Sequence, residues 1–238
     1  MSDPIIVALD LESAALARAL VKRLGDSVEF YKVGMELYAA AGMDFARELA
    51  DSGKRVFLDL KMYDIPETVK RAVRQVGKTS VEFLTIHARL SVMQAALDGR
   101  AGSSLKLLGV SVLTSMDDGD VLVDSGHAST VQELVALRSR NAMAVGIDGI
   151  VCSPLEVAMV REVTGGDAIL VTPGVRSLAT TAADQKRVAT PAEAVAAGAD
   201  YIVIGREVTR ADDPVAEVGR IREELSAGCR TVTPRGAA

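Results

Sequence analysis

Short apolar, β-branched runs recur along the chain at 5–10 (IIVALD), 30–35 (FYKVGM), 55–61 (RVFLDLK), 82–88 (EFLTIHA), 105–114 (LKLLGVSVLT), 148–153 (DGIVCS), 168–174 (AILVTPG) and 200–206 (DYIVIGR). Between them lie Ala/Leu/Val segments with helical spacing. Leu16, Leu20, Val21 and Leu24 share one helical face, as do Val215, Val218, Ile221 and Leu225. Helix starts are marked at SPLE (153–156) and TPAE (190–193), each with a hydroxyl cap, a proline in the first turn and a glutamate at the third position. DDP (212–214) offers a similar start, and Gly25 and Gly198 sit where helices should stop. Strand and helix alternate eight times, and each strand is nearly continuously apolar. That is the pattern of a parallel sheet covered by helices. Eight units predict an α/β fold, a (β/α)8 TIM barrel forming a single domain over residues 1–226. An open doubly wound sheet fits less well, because ALDLES after the first strand lacks its Gly-rich turn. Residues 115–130 read as a surface loop and 227–238 as a flexible C-terminal tail.

Composition narrows the function classes. The formal charge is −5, so no general attraction to nucleic acid or to an anionic membrane surface is expected, and a phosphate site would have to be built locally. No apolar run approaches the roughly 20 residues of a membrane helix, and MSDPIIVALD has neither the basic start nor the long apolar stretch of a signal peptide. The two cysteines, Cys152 and Cys229, have no metal-type spacing and suit a reducing cytoplasm. Two histidines, His87 and His127, leave little material for a zinc site. His87 is expected to pack at the barrel rim and hydrogen-bond a neighbour, His127 to be solvated, and Cys152 to be a buried thiol in a core strand.

The stretch FLDLKMYDIPET (57–68) breaks an apolar strand with Asp59, Lys61 and, on the following loop, Asp64. In a barrel, active sites form where the strands end. Other strand ends carry Asp10, Lys32, His87, Thr114, Pro173, Arg176, Gly205 and Arg206. Alternation along a strand points Asp59 and Lys61 the same way, about 6–7 Å apart along the backbone. Flanking carboxylates favour the charged form of a lysine, so the stretch reads as a proton donor set between carboxylates. A salt-bridge layer that closes the barrel is the plainer alternative. A second constellation suits phosphate: Gly205 allows close backbone approach and Arg206 can hold phosphate oxygens bidentately. The segment TPGVRSLATTAADQKR (172–187) suits a loop closing over a ligand, with Arg176 and Gln185 reaching phosphate and base; a solvated surface loop is the alternative.

The segment DLKMYDIP resembles the Asp-x-Lys-x-x-Asp-Ile-Pro signature of the orotidine 5′-phosphate decarboxylase family. ALD (8–10), KVG (32–34), LTS (113–115), VTPGVR (171–176), DQKR (184–187) and GADYIVIGR (198–206) follow that family in order, over roughly residues 3–225. HARLS (87–91) departs from the glycines the family commonly has after its His-Ala pair. The resemblance implies decarboxylation of orotidine 5′-monophosphate to UMP in pyrimidine biosynthesis, with neither metal nor organic cofactor. It implies that Asp10 binds the ribose or base region, and that Lys32 contacts ribose and joins a charged array. Asp59 and Lys61 would face the reacting carbon, with Lys61 as proton donor. Asp64, Ile65 and Thr68 would belong to a loop entering the site of a second subunit, in a homodimer with shared sites. Thr114 and Pro173 would line the base pocket, Gln185 would bridge base and phosphate, and Arg176, Gly205 and Arg206 would hold the phosphate. Two other readings compete: a Mg²⁺-dependent sugar-phosphate decarboxylase or aldolase of the same superfamily, with the same Asp-x-Lys-x-x-Asp spacing, and a barrel that binds a nucleotide only as a sensor.

Overall fold

The apolar runs form eight short parallel strands: β1 (Ile5–Ala8), β2 (Phe30–Gly34), β3 (Arg55–Met62), β4 (Phe83–His87), β5 (Lys106–Val110), β6 (Gly149–Val151), β7 (Ile169–Thr172) and β8 (Tyr201–Ile204). The structure is a computed structural model that describes residues 3–125, 129–177 and 189–231. The strands pair in chain order, and β8 closes on β1 through Ile5 opposite Ile202 and Val7 opposite Ile204. The predicted barrel is therefore the observed fold. Around it run α1 (Ala14–Leu24), α2 (Met35–Asp51), α3 (Pro66–Val76), α4 (Leu90–Arg100), α5 (Asp118–Ser125), α6 (Val131–Val145), α7 (Val157–Thr164), α8 (Pro191–Ala196), α9 (Arg206–Thr209) and α10 (Pro214–Thr231).

Alternation along the strands makes two cores. Ile6, Ala8, Phe30, Phe57, Phe83, Leu108, Val110, Val151, Val171 and Val203 fill the barrel interior. Their neighbours in sequence, such as Val7, Tyr31, Val56, Leu58 and Leu84, pack outward beneath the helices. Both faces are buried, which is why the runs read as continuously apolar. At the N-terminal end Arg55 plugs the barrel. Its guanidinium binds Glu82 through two 2.7 Å hydrogen bonds, donates to the Tyr201 hydroxyl at 2.9 Å and lies 4.1 Å from the Phe30 ring centre. A salt bridge that closes the barrel thus exists, at the end opposite Asp59 and Lys61.

Several local expectations change. The 115–130 stretch is not all loop. Asp117 Oδ1 accepts the Asp120 N–H at 3.1 Å, Asp120 Oδ2 accepts the Asp117 N–H at 2.9 Å, and this reciprocal cap starts α5, which buries Val121. SPLE makes the predicted capping box but opens a 3₁₀ turn over Pro154–Glu156 before α7. TPAE caps α8 as expected, and Asp213 accepts the Val215 and Ala216 N–H groups at the start of α10. β5 ends at Val110, so Thr114 lies on the loop beyond it. Leu16 and Val215 are exposed rather than buried with the other apolar positions of their helices. The last helix continues through Thr231, so residues 227–231 of the expected tail are helical, while 232–238 lie outside the described residues.

Candidate active site

Inward-facing positions change character from one barrel end to the other. Phe30 is followed inward by Lys32, Phe57 by Asp59, and Phe83 by Thr85, so the apolar interior gives way to charge where the strands end. There the barrel opens into a cavity of about 670 Å³ whose floor includes Ala8, Phe57, Val151 and Val203. Its walls include Asp10, Lys32, Asp59, Lys61, Thr114, Pro173, Arg176, Gly205 and Arg206.

Four side chains form a row of alternating sign. Lys32 Nζ donates to Asp10 Oδ1 at 2.7 Å and stands 3.6 Å from Asp59 Oδ2. Lys61 Nζ reaches Asp59 Oδ1 at 2.9 Å and Oδ2 at 2.8 Å. Gly34 gives the row space, since a Cβ there would lie 2.6 Å from Asp10 Oδ1 and 2.9 Å from Lys32 Nζ. Lys32 and Asp59 are buried, and two buried charges of opposite sign are tolerated because each has a partner. Burial alone would raise the Asp59 pKa. The charges of Lys32 and Lys61, with hydrogen bonds from Lys61 and Thr85, outweigh it and hold the carboxyl below its ordinary 3.8. Its stabilising effect is therefore present above the ordinary carboxyl value and is lost as pH falls through the lower folded value.

Simple alternation does not account for the position of Lys61. Leu58 pairs with Leu84 but Met62 pairs with Ile86, so β3 bulges against β4 just before its end. Within the bulge Lys61 takes φ +47°, the one positive value among the described non-glycine residues. A left-handed backbone at a long side chain costs on the order of 1–2 kcal/mol. Thr85 holds this conformation. Its Oγ1 accepts the Lys61 N–H at 2.9 Å and donates to Asp59 Oδ1 at 2.9 Å. Thr85 is fully buried and was missed by sequence reasoning, because a lone threonine in an apolar strand carries no signal of its own.

Asp64, Ile65 and Thr68 are not in this cavity. All three are exposed, and Asp64 Oδ1 accepts its neighbour's N–H, that of Ile65, at 2.6 Å. Within one chain, Lys61 is thus flanked by Asp59 and not by Asp64, which corrects the reading of a donor set between two carboxylates of its own strand and loop. Gln185 and His127 lie outside the described residues. His87 is half-buried with its ring 5.3 Å from that of Tyr63. Burial first, then the charges of Arg138, Arg89 and Lys61, lower its pKa below 6.5, so it is neutral at pH 7. Cys152 is a buried thiol, as expected. Among the described residues no three His, Cys, Asp or Glu side chains gather as a metal site, and no helix is long and apolar enough to cross a membrane. The cavity also takes in Glu36, Glu207 and Arg210, which the sequence did not single out.

The chain matches the model of the Orotidine 5'-phosphate decarboxylase / HUMPS family over residues 3–221. It is 49% identical over 225 residues to an orotidine 5'-phosphate decarboxylase of Rhodopseudomonas palustris (strain ATCC BAA-98 / CGA009), covering 94% of each protein. It is 51% identical over 224 residues to one of Bradyrhizobium sp. (strain ORS 278), covering 94% of this chain and 92% of that protein. The crystal structure of orotidine 5'-phosphate decarboxylase from Lactobacillus acidophilus superposes with a TM-score of 0.82 at 38% identity, covering 93% of this chain and 98% of the other.

Proposed function

The chain belongs to the Orotidine 5'-phosphate decarboxylase / HUMPS family, and from that premise we propose how its cavity removes CO₂ from orotidine 5′-monophosphate to give UMP in pyrimidine biosynthesis. The chain is a carboxy-lyase in this reading, and the observation that carries the mechanism is the row Asp10–Lys32–Asp59–Lys61 along one wall of the cavity. The C6–carboxylate bond breaks and leaves its electron pair on C6, a carbanion that the ring cannot delocalise as an ordinary enolate. Lys61 faces C6, stabilises the growing negative charge and then transfers an Nζ proton to it. Water reprotonates Lys61 after CO₂ has left. Asp59 orients Lys61 from below, and Lys32 neutralises Asp59 so that its charge does not go unpaired. Lys32 and Asp10 hold the ribose, Thr114 and Pro173 line the base, and Gln185 bridges base and phosphate. Arg176, Gly205 and Arg206 take the phosphate at the far end of the same cavity.

Asp64, Ile65 and Thr68 serve the site of a second copy in a homodimer. Support comes from large apolar side chains left in water just past the ends of β2 and β3: Met35 is 59%, Tyr63 64% and Ile65 67% exposed, and exposed apolar surface suits an interaction site. The setting is the cytoplasm, in keeping with the buried thiol of Cys152.

Loss of orotidine 5′-monophosphate, followed by ultraviolet absorbance in buffer containing EDTA, tests the reaction. Undiminished turnover is expected, whereas a metal-dependent sugar-phosphate enzyme or a nucleotide sensor gives none. Arg206→Ala tests the phosphate end. It should raise KM for the nucleotide at least tenfold, since a charge-assisted pair of hydrogen bonds is lost, and kcat/KM should fall further because remote binding energy helps to order the site. On orotidine, which lacks the phosphate, the change should stay under about twofold. An equal loss on both substrates would remove Arg206 from the phosphate site.

A further inference from the structure

Behind the phosphate end stands a charged network that the reaction as described does not use. Ser177 follows Arg176 directly and is buried. Its N–H donates to Glu207 Oε2 at 3.3 Å, and its Oγ donates to Glu224 Oε2 at 2.9 Å and accepts from Arg220 Nη2 at 2.8 Å. Arg220, on α10, also lies 2.5 Å from Glu207 Oε1, 2.5 Å from Glu217 Oε1 and 3.7 Å from Glu224 Oε2. Glu207 follows Arg206 directly, its side chain is only 5% exposed, and it lines the cavity. One guanidinium therefore links the residue after Arg176 to the residue after Arg206, and it balances a buried carboxylate in the wall where a dianion would lie.

We infer that Arg220 is a positioning residue for phosphate recognition: through Ser177 and Glu207 it fixes the spacing of the Arg176 and Arg206 backbones, and it neutralises Glu207, which would otherwise repel the phosphate. The inference rests on the proposed phosphate end. Two physical effects point the same way. A buried carboxylate stripped of its cation is costly and reorients or recruits another cation, and the same cavity wall carries Arg206 and Arg210. A guanidinium can serve several acceptors at once in fixed geometry, which an ammonium cannot reproduce.

The test uses steady-state turnover of orotidine 5′-monophosphate and of orotidine by the full chain. Arg220→Ala should raise KM for the nucleotide at least tenfold, with kcat changed less than threefold and orotidine turnover changed less than twofold. Adding Glu207→Gln to Arg220→Ala should lower KM at least threefold from that of Arg220→Ala, because the repelling charge is gone while the lost spacing remains. A merely structural role for Arg220 would depress both substrates alike and would not be rescued by a second substitution. Either of those results, or an Arg220→Ala KM within threefold of wild type, overturns the inference. If Arg220→Ala does not fold, Arg220→Lys gives the reading: a several-fold rise in KM confined to the nucleotide supports it, and a wild-type KM overturns it. Absence of nucleotide turnover by the wild-type chain would instead remove the proposed function, and a phosphate-blind Arg206→Ala would remove the phosphate end.

Discussion

Lys61→Ala should fold, bind UMP and lose decarboxylation by about a thousandfold or more, roughly 4 kcal/mol in the barrier. Two contributions are removed together. General-acid catalysis by a positioned side chain is worth about 10²–10⁴-fold, and a charge aimed at a developing anion is worth about 3–4 kcal/mol. They are one ammonium and do not add in full. Lys61 Nζ sits 2.8 Å from Asp59 Oδ2, and its backbone is held at φ +47° by Thr85, so the ammonium proposed as proton donor is fixed in place. The fold should survive, because Asp59 keeps Lys32 at 3.6 Å and the Thr85 hydroxyl at 2.9 Å. Kinetic assays on the variant, alongside calorimetric binding of UMP, make the measurement. Retention of more than about a tenth of wild-type activity, a barrier change under roughly 1.4 kcal/mol, would end the assigned role.

Mixing two inactive variants should restore activity. If Lys61 is the proton donor and Asp64 serves the site of a second copy, each site of Lys61→Ala lacks the donor and each site of Asp64→Ala lacks the carboxylate. A hybrid dimer then has one site with both defects and one with neither. Random exchange between two-fold dimers gives half hybrids, so roughly a quarter of wild-type activity is expected. The motive is structural: Asp64 is exposed, absent from its own chain's cavity, and next to exposed Tyr63 and Ile65. Mixed samples that exchange subunits, shown by mass-tagged chains, yet stay inactive would mean that Asp64 acts within its own chain or not at all.

Most of the barrel could be read from the chain because its determinants are local. A strand buried on both faces announces itself as an unbroken apolar run, and charges within or just past such a run stand out, which makes Asp10, Lys32, Asp59 and Lys61 legible. What could not be read depends on pairing between elements. The bulge that turns Lys61 is a matter of register between β3 and β4. Thr85 matters because of the atoms that bulge brings to it. The α5 helix hid in an acidic stretch because its cap is made by Asp117 and Asp120, residues that equally suit a loop. Glu207 and Arg220 have no mark in the sequence that pairs them; the packing of α10 against α9 brings them together. Leu16 obeys the helical spacing of α1 but faces the cavity, since periodicity marks an apolar face without saying whether a core or a ligand will cover it.

Cleavage without a metal that leaves the electron pair on C6, where a proton then replaces CO₂, is the step on which the proposed mechanism stands, and the position of the new C–H bond reports it. Decarboxylation of orotidine 5′-monophosphate by the wild-type chain in D₂O with EDTA, followed by proton NMR of the product, should give UMP carrying deuterium at C6 and none at C5. Deuterium at C5, or a reaction that stops when metal is chelated, would contradict it.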